Sequence, residues 1–155
     1  MIKIKYFASL LMFVMVIVSS CTRKADTETG ADSDKELTDF IKKNNIKAVK
    51  DDSGLYYQII KPGAGDFAYP ENTQITIKYE GKLLNGDVFD NGGGEDQTFP
   101  LAALIKGWQI GIPKIQKGGE IRLIISPGLG YGGNGAGAVP PNAVLDFNIK
   151  LSDTK

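Results

Sequence analysis

The sequence predicts an α+β fold: a twisted antiparallel β-sheet wrapped over a short α-helix, preceded by a short N-terminal helix. Three observations carry that expectation. From Ser53 onward several segments alternate apolar and polar residues with a period of two, as strands with one buried face require. Inside that region only "IKGWQIGI" is a good helical candidate. Residues 53–155 number about a hundred, enough for a single core without disulfides.

The chain begins outside that domain. Lys3 and Lys5 precede an apolar run from Tyr6 to Val18, broken only by Ser9 and followed by Ser19, Ser20 and Cys21, which is the pattern of a secretory signal. The run is short for a membrane span, which needs about 20 residues. Cys21 is the only cysteine, and "VSSC" resembles the lipobox of bacterial lipoproteins. On that reading residues 1–20 are a signal peptide, Cys21 is the acylated first residue of the mature protein, and the protein resides in the bacterial cell envelope, periplasm-facing or surface-exposed. The alternative is an ordinary secretory signal with an unrelated cysteine.

Removing residues 1–20 takes away two lysines and no acids, leaving sixteen basic and eighteen acidic residues and a net charge of −2. No basic patch attracts nucleic acid. With Cys21 lipidated no thiol remains, and the sequence contains no histidine. His-dependent triads, His-containing zinc sites and the commonest general base are thereby excluded.

Residues 21–33 are polar, with no aliphatic side chain larger than alanine after Cys21, and read as a flexible tether. Residues 34–52 read as a short helical extension, in which Leu37, Phe40, Ile41 and Asn44 follow helical spacing and Ser33 or Asp34 is the N-cap. Its apolar stripe either packs on the following domain or serves dimerisation. "GLYYQIIKPG" then reads as a strand ending in a Pro-Gly turn. In "TQITIKYEGKLL", Ile75, Ile77 and Tyr79 share one face. "EIRLIIS" does the same with Ile121, Leu123 and Ile125, and "VLDFNIKL" with Leu145, Phe147, Ile149 and Leu151. Such one-sided strands belong in antiparallel sheets.

Between the last two strands lies "ISPGLGYGGNGAGAVPPNA", six glycines and three prolines around one aromatic residue, Tyr131. Gly128, Gly130 and Gly133 match G-x-G-x-x-G, but the chain continues into Pro140-Pro141 and a strand, whereas a dinucleotide site needs a helix there. A nucleotide-binding enzyme is therefore disfavoured.

"IKYEGKLLNGDVFDN", "ALIKGWQIGIPKIQKGG" and "ISPGLGYGGNGAGAVPPNAVLDFNIKL", in this order and at these spacings, resemble the FKBP family of peptidyl-prolyl cis-trans isomerases. The resemblance covers roughly residues 54–151. It implies a proline pocket lined by Tyr79, Phe89, Asp90, Phe99, Leu104, Ile105, Trp108, Tyr131, Val139 and Phe147. Trp108 would form the floor, with Tyr79, Phe89, Phe99 and Phe147 as walls. The Ile105 backbone N–H and the Tyr131 hydroxyl would bond substrate carbonyls. Asp90 would lie at the pocket edge, there either orienting Tyr131 or facing the carbonyl carbon of the twisted amide. The loop "NGGGEDQT" departs from the pattern: many relatives carry a basic residue that pairs with this aspartate, and none is present here. The tip "NGAGAV" is rich in small residues where larger apolar ones often meet substrate.

The chemistry suits such a pocket. Rotation about an X-Pro amide is resisted by about 18–20 kcal/mol of resonance, and a planar amide is more polar than a twisted one, so an apolar cup favours the twisted form. No bond breaks, so the reaction calls for no cofactor, metal or nucleophile. The expected partners are X-Pro-containing polypeptides among exported proteins, macrolides that bind FKBP pockets, and a membrane through the anchor at Cys21. The protein is expected to be monomeric. A non-catalytic module holding proline segments in the same cup is the rival reading.

Overall fold

The computed structural model describes residues 25–155; the expected signal peptide and Cys21 lie outside the described residues. Helix α1 spans Ala25–Lys43. Seven strands follow, β1 (Val49–Lys50), β2 (Tyr56–Lys61), β3 (Gln74–Leu83), β4 (Val88–Asp90), β5 (Gln97–Pro100), β6 (Glu120–Ile125) and β7 (Leu145–Thr154), with helix α2 (Lys106–Gly111) between β5 and β6. They form one antiparallel sheet in the order β1-β2-β6-β7-β3-β4, and β5 shares the outer edge of β3 with β4. The α+β architecture is as the sequence predicts.

The period of two is realised along the central strands. Ile75 and Ile77 of β3, Ile121, Leu123 and Ile125 of β6, and Leu145, Phe147, Ile149 and Leu151 of β7 are all buried on one face, in one cluster with Trp108, Ile112 and Ile115. Helix α2 fits into this face because its contact stripe is smooth. A Cβ on Gly107 would lie 2.7 Å from Cδ1 of Ile125, and one on Gly111 would lie 2.6 Å from Cδ2 of Leu123. The two glycines are four residues apart and hence on one side of the helix. Pro113 lies in the 3-10 turn, Ile112–Lys114, that ends the helix.

The N-terminal region differs from expectation in two ways. Helix α1 starts at Ala25, so residues 25–33 are helical rather than a flexible tether, and Ser33 and Asp34 lie inside the helix instead of capping it. The segment lacks proline, and once Leu37 is anchored each preceding turn costs only a small propensity term. The expected extension of 34–52 also ends early: after Lys43 the chain turns through Asn45 (φ 51°), and Val49–Lys50 joins the sheet beside Tyr56–Tyr57.

The apolar stripe of α1 packs on the sheet. Leu37, fully buried, groups with Ile46, Ile124 of β6 and Val144, flanked by Phe40, Ile41, Ala48, Tyr56 and Leu84. Strand β6 is thus buried on both faces, Leu123 and Ile125 toward α2 and Ile124 toward α1.

Candidate active site

Strands β3 and β7 lie side by side and deliver Tyr79 and Phe147 to the face that α2 covers with Trp108. Both rings meet Trp108 edge to face. Tyr79 and Phe147 each stand 5.0 Å from Trp108, at interplanar angles of 77° and 86°. Phe99, from β5, adds an edge contact to Tyr79 at 6.4 Å. Such pairs contribute about 0.5–1.5 kcal/mol each beyond area burial, so the arrangement is a stiff cup. Gly81 makes room for it: a Cβ there would lie 2.5 Å from Phe147 and 2.7 Å from Phe89.

The cup encloses a cavity of about 210 Å³ lined by Tyr79, Asp90, Phe99, Leu104, Ile105, Trp108, Tyr131 and Phe147. Eight of the ten residues singled out from the sequence therefore surround one space. The other two do not line it. Phe89 meets Phe147 edge to face, with ring centroids 5.4 Å apart at 86°, and so buttresses that wall. Val139 is 6 % exposed and belongs to the core. The reason lies in the glycine-rich loop. Gly135, at φ 65°, folds the chain so tightly that a Cβ would lie 2.3 Å from the Val139 carbonyl oxygen, and Ala136 and Val139 exchange backbone hydrogen bonds of 3.0 and 2.8 Å. The turn directs Val139 inward and leaves Tyr131 at the mouth, 36 % exposed.

Asp90 is held twice. Its Oδ2 accepts from the Tyr79 hydroxyl at 2.7 Å and its Oδ1 from the Gly92 N–H at 3.0 Å. The carboxylate that many relatives are expected to pair with a basic side chain is instead fixed here by a phenol and a backbone amide. Gly92 (φ 58°) was not foreseen as a site residue. It lies against the Tyr79 ring, where a Cβ would come within 2.9 Å of Cε1.

The Tyr131 hydroxyl and the Ile105 N–H have no protein partner among the described residues. Both are donors on cavity-lining residues, left for a ligand. Burial first, then the hydrogen bond to Asp90, pushes the Tyr79 hydroxyl far above the ordinary tyrosine range. Burial, with the Asp90 charge second, also raises Tyr131. Both phenols hence remain protonated donors throughout the neutral range. The Trp108 Nε1–H is buried without a partner among the described residues. The site can bind an apolar ring, exclude water from it and offer two hydrogen bonds to adjoining carbonyls.

Known proteins carry the same pattern. A family model described as FKBP-type peptidyl-prolyl cis-trans isomerase matches residues 66–152. FkpA, an FKBP-type peptidyl-prolyl cis-trans isomerase of Buchnera aphidicola subsp. Schizaphis graminum, is 44% identical over 120 residues, 75% of this chain and 48% of its own. FkpA of Escherichia coli K12 is 38% identical over 118 residues, 75% of this chain and 43% of its own. The chain thus spans about half the length of these curated relatives. Among solved structures, FkpA from Escherichia coli superposes with a TM-score of 0.73 at 34% identity, over 83% of this chain and 62% of that one. AtFKBP13 gives 0.64 at 34% identity, over 70% and 99%.

Proposed function

This chain belongs to the FKBP-type peptidyl-prolyl cis-trans isomerase family, and on that premise we propose that its aromatic cup catalyses rotation about X-Pro peptide bonds in exported proteins. The observation that carries the reading is the cup itself: Tyr79 and Phe147 each edge to face with Trp108 around about 210 Å³, with the unpartnered Tyr131 hydroxyl and Ile105 N–H among its lining residues. A prolyl ring enters over Trp108. The dry walls favour the less polar, twisted amide, and the two donors hold the carbonyls on either side. Asp90, whose two oxygens are taken by Tyr79 and Gly92, fixes the Tyr79 wall and places negative charge at the mouth. Uncatalysed isomerisation takes tens of seconds, so a thousandfold acceleration requires about 4 kcal/mol. A few positioned hydrogen bonds and an apolar cup supply that without proton transfer.

The apolar run ending at "VSSC" supports placing the protein in the bacterial envelope, anchored through a lipid on Cys21. Labelling with radioactive fatty acid checks this, because Cys21→Ser should lose the label and a labelled serine variant would refute the anchor.

The test of activity is isomerisation of a short X-Pro peptide by the full chain, with and without a macrolide that blocks FKBP pockets. Catalysis should be inhibited by the macrolide and, with no histidine in the chain, should be flat between about pH 6 and 8. Binding of the peptide without acceleration would instead establish a holding module. A bell-shaped profile centred near neutrality would exclude the mechanism.

A further inference from the structure

We propose that Gln109 is a positioning residue for the isomerisation: its side-chain amide fixes the peptide plane whose other end is the substrate-binding Ile105 N–H. The inference rests on the function proposed above and on hydrogen bonds that the sequence motif did not single out.

The segment that enters α2 is anchored at its two ends, by the Leu101 N–H on the Thr73 carbonyl at 3.0 Å and by the Trp108 N–H on the Ile105 carbonyl at 3.0 Å, and the peptide between Leu104 and Ile105 lies between these anchors. Leu101–Ala103 forms one 3-10 turn, and Leu104 (φ −91°, ψ 170°) and Ile105 (φ −59°, ψ 150°) are extended, with no side-chain cap at the helix start. The Leu104 N–H reaches the Leu101 carbonyl at 3.2 Å. Gln109 lies four residues beyond Ile105, and a helical side chain covers the turn N-terminal to its own Cα. Its Nε2 donates to the Leu104 carbonyl at 2.6 Å and to the Ala102 carbonyl at 3.2 Å, while its backbone N–H donates to the Ile105 carbonyl at 3.2 Å.

The Leu104 carbonyl and the Ile105 N–H belong to one planar trans peptide and point in opposite directions. A donor on the oxygen therefore sets the direction of the N–H, and it also polarises the unit so that the N–H becomes a better donor. Gln109 acts on the far side of the plane from the substrate. It touches neither the prolyl ring nor the cavity, whose lining includes Leu104 and Ile105 but not Gln109. The residue is exposed, on the wall of a separate cleft formed with Tyr69, Glu71 and Pro113, so the amide is not needed to fill the core.

Two variants separate positioning from general structure. Gln109→Leu keeps the bulk and removes the donors; kcat/KM should fall roughly three- to tenfold, as expected for one lost hydrogen bond, with the thermal midpoint nearly unchanged. Gln109→Glu keeps the shape, but at pH 7 its carboxylate cannot donate and repels both carbonyls. As pH falls through about 4.3 the carboxyl takes up its proton and donates again. The ratio of Gln109→Glu to wild-type activity should therefore rise as pH falls, and that of Gln109→Leu should stay level. The Ile105 amide resonance reports the same event without catalysis: it should shift in both variants at pH 7 and move back toward the wild-type position in Gln109→Glu as pH falls from 7 to about 4. Level ratios for both variants, or an Ile105 amide that does not move, would overturn the proposal. A wild-type chain that fails to isomerise the peptide would instead sink the proposed activity, leaving the Ile105 amide to decide the role of Gln109.

Discussion

The two faces of the sheet are built from the same strands and do different work. On β7, Phe147 turns toward α2 and forms the wall of the cup, while its neighbour Asp146 turns the opposite way and is only 4 % exposed. The outer face satisfies that acid with Arg122 of β6, whose Nε and Nη2 donate to the two carboxylate oxygens at 2.8 and 2.7 Å. The two residues are diagonal neighbours, since Arg122 is opposite Asn148. Close by, Leu37 of α1 covers Ile124 and Val144. The inner face excludes water around donors left open for a ligand, whereas the outer face pairs its polar groups with one another. Burial alone therefore does not mark the site; burial next to unpartnered donors does.

If the inner face couples fold to function, its floor should show the largest effect. Trp108→Ala removes the ring that contacts both Tyr79 and Phe147 and should cost roughly 3–5 kcal/mol in chemical denaturation, with isomerisation abolished. Leu37→Ala, on the outer face, should cost about 2–4 kcal/mol by the same cavity argument but leave kcat/KM within twofold at a temperature where the variant is folded. A Leu37 variant that lost activity in proportion to stability would show that the two faces are not separable.

A smaller effect should come from the mouth. Asp90→Ala frees Tyr79 and Gly92 from their shared acceptor. The acid is exposed, so stability should change by less than about 1 kcal/mol while turnover falls roughly tenfold. Phe89→Ala should also slow turnover, through loosening of the Phe147 wall it backs. Unchanged turnover in the Asp90 variant would remove the acid from the mechanism.

These regions were unequally legible in the sequence. The strands were readable because one-sided burial imposes a period of two, and Ile75, Ile77, Leu145, Phe147 and Leu151 obey it. The cup was readable as a set, since Tyr79, Trp108, Tyr131 and Phe147 mean little singly and their joint spacing is specific. Val139 was not, because its direction depends on the turn at Gly135, a through-space approach to the Val139 carbonyl that no local pattern encodes. The reach of α1 to Ala25 was missed for a related reason: its anchor is Ile124 on a distant strand, so a polar sequence is helical through a contact formed elsewhere. Gln109 carried no signal, because a glutamine on an exposed helical position looks like solvated surface.

The smallest predicted effect is alkaline and belongs to the inner face. Burial pushes the Tyr69 hydroxyl, which donates to the Ile115 carbonyl at 2.7 Å, up to about 12, and raises Tyr79 and Tyr131 as well. An unfolded tyrosine titrates near 10. Each folded value lies above that, so the folded state holds protons that the unfolded state gives up, and the stability involved is complete below about pH 10 and lost as pH climbs through the folded values. Urea midpoints should be level from pH 7 to about pH 9.5 and then decline, with the Tyr69 contribution gone by about pH 12. Tyr69→Phe should start from a slightly lower midpoint at pH 7, having lost one hydrogen bond worth about 1 kcal/mol, and should then decline less steeply between about pH 10 and 12 because one proton has left the balance. Parallel declines for the two proteins would show that the Tyr69 hydroxyl titrates alike in the folded and unfolded chain, and that burial on the inner face does not set its proton affinity.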